Sequence, residues 1–342
     1  MTAEGSSAVT ANTLVIAEAG VNHNGDLVLA REMIAAAKAS GADIVKFQTY
    51  KADEVMLEQT PLAGYMNGSG KNFLDVARKL ELSFAQTLDL KQYAESLGIE
   101  FLSSPFDVPS CEFLGTIGLK RLKIPSGETV NPFLLKAAAK TRLPLIVSSG
   151  MATLEELRAS VDVLRRMGSG PITVLHCTTQ YPAEPRYCNL RAMTTIAQAL
   201  NVPVGYSDHT PGIEISLAAA ALGAVAIEKH FTLDRSLPGP DQAASLEPGE
   251  LAALVSGVRS IGTALGDGEK KPFPIELEIA RVARKSLVAA HRLEAGAVLK
   301  EEDLTAKRPG TGIPAMRLSE VIGRTLARTV EANALLDWTD LR

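Results

Sequence analysis

Apolar residues lie along this chain in short unbroken blocks that stop abruptly at polar groups, and the same unit keeps returning. A block is followed by a polar loop, then a stretch of helical period with recognisable caps, then a glycine and the next block. The strands so marked are LVIAE (14–18), DIVKF (43–47), EFLSS (100–104), RLKI (121–124), LIVSS (145–149), ITVLH (172–176), VPVGY (202–206) and VAIEKH (225–230). Continuous rather than alternating apolar character is expected of strands covered on both faces in a parallel sheet. Helix starts agree with the count: Ser83 with Gln86 and Thr153 with Glu156 have capping-box spacing, while Asn131-Pro132 and Thr210-Pro211 place proline at a first helical position. Gly41, Gly98, Gly168 and Gly223 stand where each helix would close through a left-handed residue. Eight strand–helix units in succession predict a TIM barrel over residues 1–265.

The texture changes near Gly266. The stretch GDGEKKPFPIELE is charged, carries two prolines and reads as a linker over 266–282. Beyond it, LEAGAVLKEEDL (293–304) is echoed by VEANALLDWTDL (330–341), with Gly296 and Asn333 at the matching turn position. The echo predicts a small pseudo-symmetric β-rich domain over 283–342. A domain of that size buries little surface by itself.

Composition narrows the class. With 342 residues, 46% apolar and 22% charged, the chain is an ordinary globular one, and no apolar run approaches the ~18 residues of a membrane span. The opening MTAEGSSAVTAN lacks the basic and apolar regions of a secretion signal and reads as a loose terminus, so a cytoplasmic protein is expected. Cys111, Cys177 and Cys188 are odd in number and have no CxxC spacing, against both a disulfide framework and a structural zinc site. A net charge of −4 gives no general attraction for nucleic acid.

In a TIM barrel the C-terminal strand ends form one surface, and here they are consistently polar. Lys46 and Lys123, with hydroxyls at Ser104, Ser126, Ser148 and Ser207, make a cradle for phosphate and carboxylate oxygens. His209 and His230 end consecutive strands and can share one divalent ion with positions left open for substrate. Glu18, Glu128 and Asp241 are carboxylates for proton transfer or for sugar hydroxyls. Plainer roles compete for some of these: Lys46 can pair with Glu18, Cys111 and Cys177 read as inert core, His23 as a loop-shaping residue and His291 as surface.

The runs IAEAGVNHNGD, VKFQTY, FLSSPFD, KIPSGE, VSSGMAT, HCTTQYP, GYSDHT, EKHFTLD, GPD and KRPGTG occur in an order that resembles the sialic acid synthase family along almost the whole chain. That resemblance implies a (β/α)8 TIM barrel followed by a small antifreeze-like (SAF) domain. It also implies condensation of phosphoenolpyruvate with an N-acetylated amino sugar to a nine-carbon 2-keto acid, with release of phosphate. Carried onto this sequence, it places phosphoenolpyruvate on Lys46, Ser104, Lys123, Ser126, Ser148, Thr179 and Ser207, and manganese or magnesium on His209 and His230. The sugar falls on Glu18, Gln48, Tyr181 and Asp241, with Arg308 reaching in from the other subunit of a domain-swapped homodimer. Glu128, Glu18 and Lys123 become the catalytic set, and Asp208 and Glu228 are expected to orient the histidines. Thr179 stands where some members have asparagine, and Gln242 where histidine is frequent. N-acetylmannosamine and 2,4-diacetamido-6-deoxy sugars are both acceptor candidates, with the motif forms more similar to the sialic or legionaminic branch. Other readings are a pseudaminic acid synthase, a synthase for a phosphorylated amino sugar, and a carbohydrate- or ice-binding protein that is no enzyme.

Overall fold

The computed structural model describes residues 13–61 and 72–342; the amino-terminal stretch read as a loose terminus lies outside the described residues. Eight strands, β1 Leu14–Gly20, β2 Ile44–Thr49, β3 Glu100–Pro105, β4 Leu122–Ile124, β5 Leu145–Ser148, β6 Ile172–Cys177, β7 Val204–Asp208 and β8 Ala226–His230, form one sheet. All paired neighbours are parallel. Hydrogen bonding runs β3-β2-β1-β8-β7-β6-β5-β4, and the two ends of that order, β3 and β4, lie against each other, which brings the sheet round into a barrel. These are the strands expected from the apolar blocks.

Strand parity explains how an apolar barrel acquires a polar mouth. Side chains alternate along a strand with a period of two. Ile16, Ile44, Leu102, Ile146, Leu175 and Ala226 fill the barrel interior as a cluster separate from the main core. Two residues further along the same strands stand Glu18, Lys46, Ser104, Ser148, Cys177 and Glu228. The intervening residues, such as Ala17, Val45 and Val147, pack outward into the larger core under the helices.

The caps read from sequence are mostly present. Ser83 and Thr153 each form a reciprocal box with the residue three along, and Asn131 caps a helix that opens on Pro132. Gly41, Gly98, Gly168 and Gly223 all have φ between 70° and 94°. Thr210-Pro211 does not open a helix. Asp208 draws in the Thr210 N–H and hydroxyl, Gly212 turns the chain with a φ of 72°, and the helix begins only at Glu214.

The chain divides into two compact units between Asp267 and Gly268. The helix Pro274–Ala283 takes up the second half of the stretch read as a linker and runs one residue past it. The prolines of that stretch misled the reading: Pro274 sits at the first helical position, where a missing N–H costs nothing, and the Phe273 N–H donates to Glu276 Oε2 at 2.8 Å. In the second unit, β9 Ser286–Ala289 pairs antiparallel with β10 Leu304–Lys307. Leu287, Leu293, Leu299, Ile313, Leu326, Val330 and Leu336 form its core. The internal echo is visible in the backbone, since Leu293 bridges Val330 and the matched residues Gly296 and Asn333 have φ of 87° and 65°.

Candidate active site

The polar strand ends meet around one cavity with about 1030 Å³ of empty space, mouth included. At its floor Glu18 Oε2 pairs with Lys46 Nζ at 2.8 Å, as expected, and Lys46 also donates to Ser104 Oγ at 3.2 Å. Glu228, from β8, serves both lysines: its Oε1 lies 3.7 Å from Lys46 Nζ and 3.5 Å from Lys123 Nζ, and accepts from Ser207 at 3.1 Å. All four charged groups are buried. Burial favours the neutral form of Glu228, but the two ammonium groups outweigh it and hold its pKa to about 2. Burial wins for Glu18, whose pKa is raised, and for Lys123, whose pKa is lowered by burial and then by Lys46. For Lys46, burial is outweighed by Glu18 and Glu228, and its pKa rises.

Ser126, Ser148 and Ser207 line the same cavity, as do Gln48, Tyr181 and Asp241. Gly150, φ 43°, lets the backbone after β5 press on the Ser126 side chain; a Cβ there would meet Ser126 Cβ at 2.1 Å. Gln48 donates to Glu18 Oε1 at 3.3 Å. Burial, followed by the charge of Glu18, pushes the Asp241 carboxyl up to about 7. It is therefore able to donate as well as accept a hydrogen bond at neutral pH.

His209 and His230 face each other with ring centroids 5.4 Å apart, and the Tyr181 ring stands 4.1 Å from His209. Burial lowers the pKa of both histidines, so both are neutral at pH 7. His209 Nδ1 lies 2.6 Å from the Thr178 carbonyl, which can only accept, so Nδ1 carries the proton and Nε2 keeps its lone pair. His230 Nδ1 is buried with no hydrogen-bond partner. Two neutral imidazoles with uncommitted nitrogens in a polar cavity suit a divalent ion. Among the described residues no cluster of three or more His, Cys, Asp or Glu forms a ligand set.

Asp208 and Glu228 do not orient these rings. Glu228 is taken by the lysines. Asp208 points out of the barrel, where its Oδ2 accepts from Lys229 Nζ at 2.9 Å and Ser216 Oγ at 2.6 Å. Both charges are fully buried. Lys229→Met would leave the Asp208 carboxylate buried without its counter-ion, at a cost of about 3–5 kcal/mol. A lowered denaturation midpoint is expected, and an unchanged one contradicts a structural role for the pair.

Glu128 and the exposed Thr179 are not among the cavity's lining residues. The Glu128 carboxylate accepts from Asn131 Nδ2 at 2.6 Å, and burial raises its pKa. Arg308 belongs to the second unit, is exposed, and donates from Nε to the Ala283 carbonyl. His23 does shape its loop, with Nδ1 accepting from the Gly25 N–H at 3.0 Å, and His291 is exposed. Cys177 lines the cavity beside Ser148 at 3.1 Å, with burial raising its pKa. Sequence reasoning also missed an apolar wall of Val55, Met56, Phe73 and Leu80. The signal for it was the long stretch between the second and third strand blocks, since connections of that length are uncommon unless functional.

Comparison with known proteins shows the family. The NeuB family model matches residues 33–270 and the SAF domain model residues 284–342. This chain belongs to the NeuB family. It is 46% identical to the N,N'-diacetyllegionaminic acid synthase of Legionella pneumophila, over 95% of this chain and 93% of the other. The synthase of the same name from Campylobacter jejuni is also 46% identical, over 95% of this chain and 98% of its own length. Among solved structures, the N-acetylneuraminic acid synthetase of Leptospira borgpetersenii, crystallised with citrate, is 39% identical with a TM-score of 0.72, covering 79% of this chain and 90% of that one. The chain is a synthase of this family with an eight-stranded barrel and a SAF domain.

Proposed function

We propose that this enzyme condenses phosphoenolpyruvate with a 2,4-diacetamido-6-deoxy hexose to give a legionaminic acid and phosphate. The observation that carries the donor half is the pair of buried lysines sharing one carboxylate at the cavity floor, ringed by serine hydroxyls. Two cations within reach of one anion can exchange part of that contact for the carboxylate and phosphate of phosphoenolpyruvate. The acceptor half rests on 46% identity to two legionaminic acid synthases. The test is phosphate release from phosphoenolpyruvate with each amino sugar and without. Release only with an amino sugar is expected; release without one, or none at all, contradicts the proposal.

In this reading Lys46 and Lys123 hold the donor so that its C3 faces the acceptor's aldehyde carbon. Attack leaves cationic character at C2, water adds there, and the tetrahedral adduct expels phosphate. Glu18, lining the cavity with a raised pKa, is better placed than Glu128 to hold a proton for these steps. Gln48, Tyr181 and Asp241 receive the sugar, and Asp241 can donate to its oxygens. His209 and His230 would hold a divalent ion, manganese or magnesium, which when bound would supply Lewis-acid character towards the aldehyde oxygen. A cytoplasmic location is part of this reading; among the described residues no helix is long and apolar enough to cross a membrane.

We also propose a homodimer in which Arg308 of one protomer serves the other's cavity. Support comes from its exposure in a loop with two glycines, RPGTG, suited to presenting one planar fork of donors. Mixing inactive Lys123→Ala chains with inactive Arg308→Ala chains is expected to restore activity, since one site of the mixed dimer has both residues. Mixed dimers isolated by two affinity tags yet inactive would contradict it.

A further inference from the structure

The cavity has two unlike sides. Its floor is charged, whereas the segment after β2 contributes Val55, Met56, Phe73, Ala77 and Leu80. This side is a built structure. Val21, Tyr50, Ala52, Leu74 and Ala77 form a small core of their own, with Val55, Met56, Leu80 and Phe106 packed against it. Tyr50 donates from its hydroxyl to the Ala77 carbonyl at 3.1 Å, tying the helix Phe73–Leu80 to the end of β2. Glu81, just past that helix, accepts from the Ala52 N–H at 2.9 Å and from Lys51 Nζ at 2.8 Å. The two ends of the segment are thus fastened to each other just past β2, and an apolar face is held towards the cavity.

Among the described residues lining this cavity the lysines are Lys46 and Lys123, both committed to carboxylates on the floor, and no arginine is present. Among its described residues, Val55, Met56, Phe73, Ala77 and Leu80, the wall offers no side-chain group to a phosphate or to a row of hydroxyls. Half-buried apolar side chains facing a polar cavity are stabilised by ligand methyl groups, which remove their surface from water. We infer that Val55, Met56, Phe73 and Leu80 are the acceptor's specificity-determining wall, receiving its deoxy and acetamido methyl groups. This rests on the proposed function and says which residues choose the acceptor.

The test uses Met56→Gln and Val55→Thr in the full-length enzyme, two near-isosteric changes that put a polar group on the wall. kcat/KM is measured for a 2,4-diacetamido-2,4,6-trideoxy hexose and for N-acetylmannosamine, together with KM for phosphoenolpyruvate. For the diacetamido sugar a loss of about tenfold in Met56→Gln is expected, with less than about threefold for N-acetylmannosamine, on the scale of one pocket methylene. KM for phosphoenolpyruvate should not move. Equal losses for both acceptors, a raised KM for phosphoenolpyruvate, or no change in either variant would overturn the inference. Wild-type enzyme that releases no phosphate with either sugar would instead overturn the proposed function, and this inference with it.

Discussion

Lys123→Met is expected to lower kcat/KM for phosphoenolpyruvate about 1000-fold, since removing one preorganised donor to a reacting anion costs 10²–10³ and here a charge is lost as well. Lys123 is buried in the middle of the short strand β4 with Glu228 3.5 Å away. Burial and the neighbouring Lys46 weaken its charge, and Glu228 sustains it. Methionine keeps the volume and leaves Glu228 still facing Lys46 at 3.7 Å, so the barrel should remain folded. Steady-state kinetics beside circular dichroism decide the matter. A loss under tenfold in a folded variant would mean that the donor's anionic groups bind elsewhere.

The second large effect concerns the histidines. Chelation of the wild-type enzyme is expected to reduce turnover at least about 100-fold, with recovery on adding manganese or magnesium, because polarisation of a carbonyl by a metal is worth several kcal/mol. His209→Ala should abolish that recovery while leaving the denaturation midpoint nearly unchanged. Its ring makes one hydrogen bond, to the Thr178 carbonyl, at a barrel end where polar groups serve function more than stability. Full turnover in chelator would mean that the reaction needs no divalent ion. An unfolded His209→Ala chain would make the histidine a structural residue.

Much of the site could be read from sequence because strand parity and barrel topology act together. An apolar block ending in VKF or AIEKH states which residues point inward once the interior position is known, and closure of the barrel brings those ends to one mouth. Parity also settles Asp208, which the sequence reading misassigned. Ser207 and His209 point inward, so the residue between them points outward, and Lys229 lies outward between Glu228 and His230 for the same reason. The partnership of Glu228 with both lysines was less accessible, since it depends on β8 lying beside β1 and on side-chain reach across the floor. Local signals failed where one residue type serves two contexts. Proline at 274 begins a helix although its neighbourhood is charged like a linker, whereas proline at 211 precedes a turn through Gly212.

In the proposed reaction, carbon attack by phosphoenolpyruvate on an amino-sugar aldehyde is followed by cleavage of the C–O bond at C2. It is tested most directly with phosphoenolpyruvate carrying oxygen-18 in the bridging position, incubated with enzyme, divalent ion and the diacetamido sugar, with mass spectrometry of both products. One oxygen-18 in the released phosphate and none in the keto acid is expected. Unlabelled phosphate, with the label retained on carbon, would show cleavage at phosphorus and contradict the mechanism.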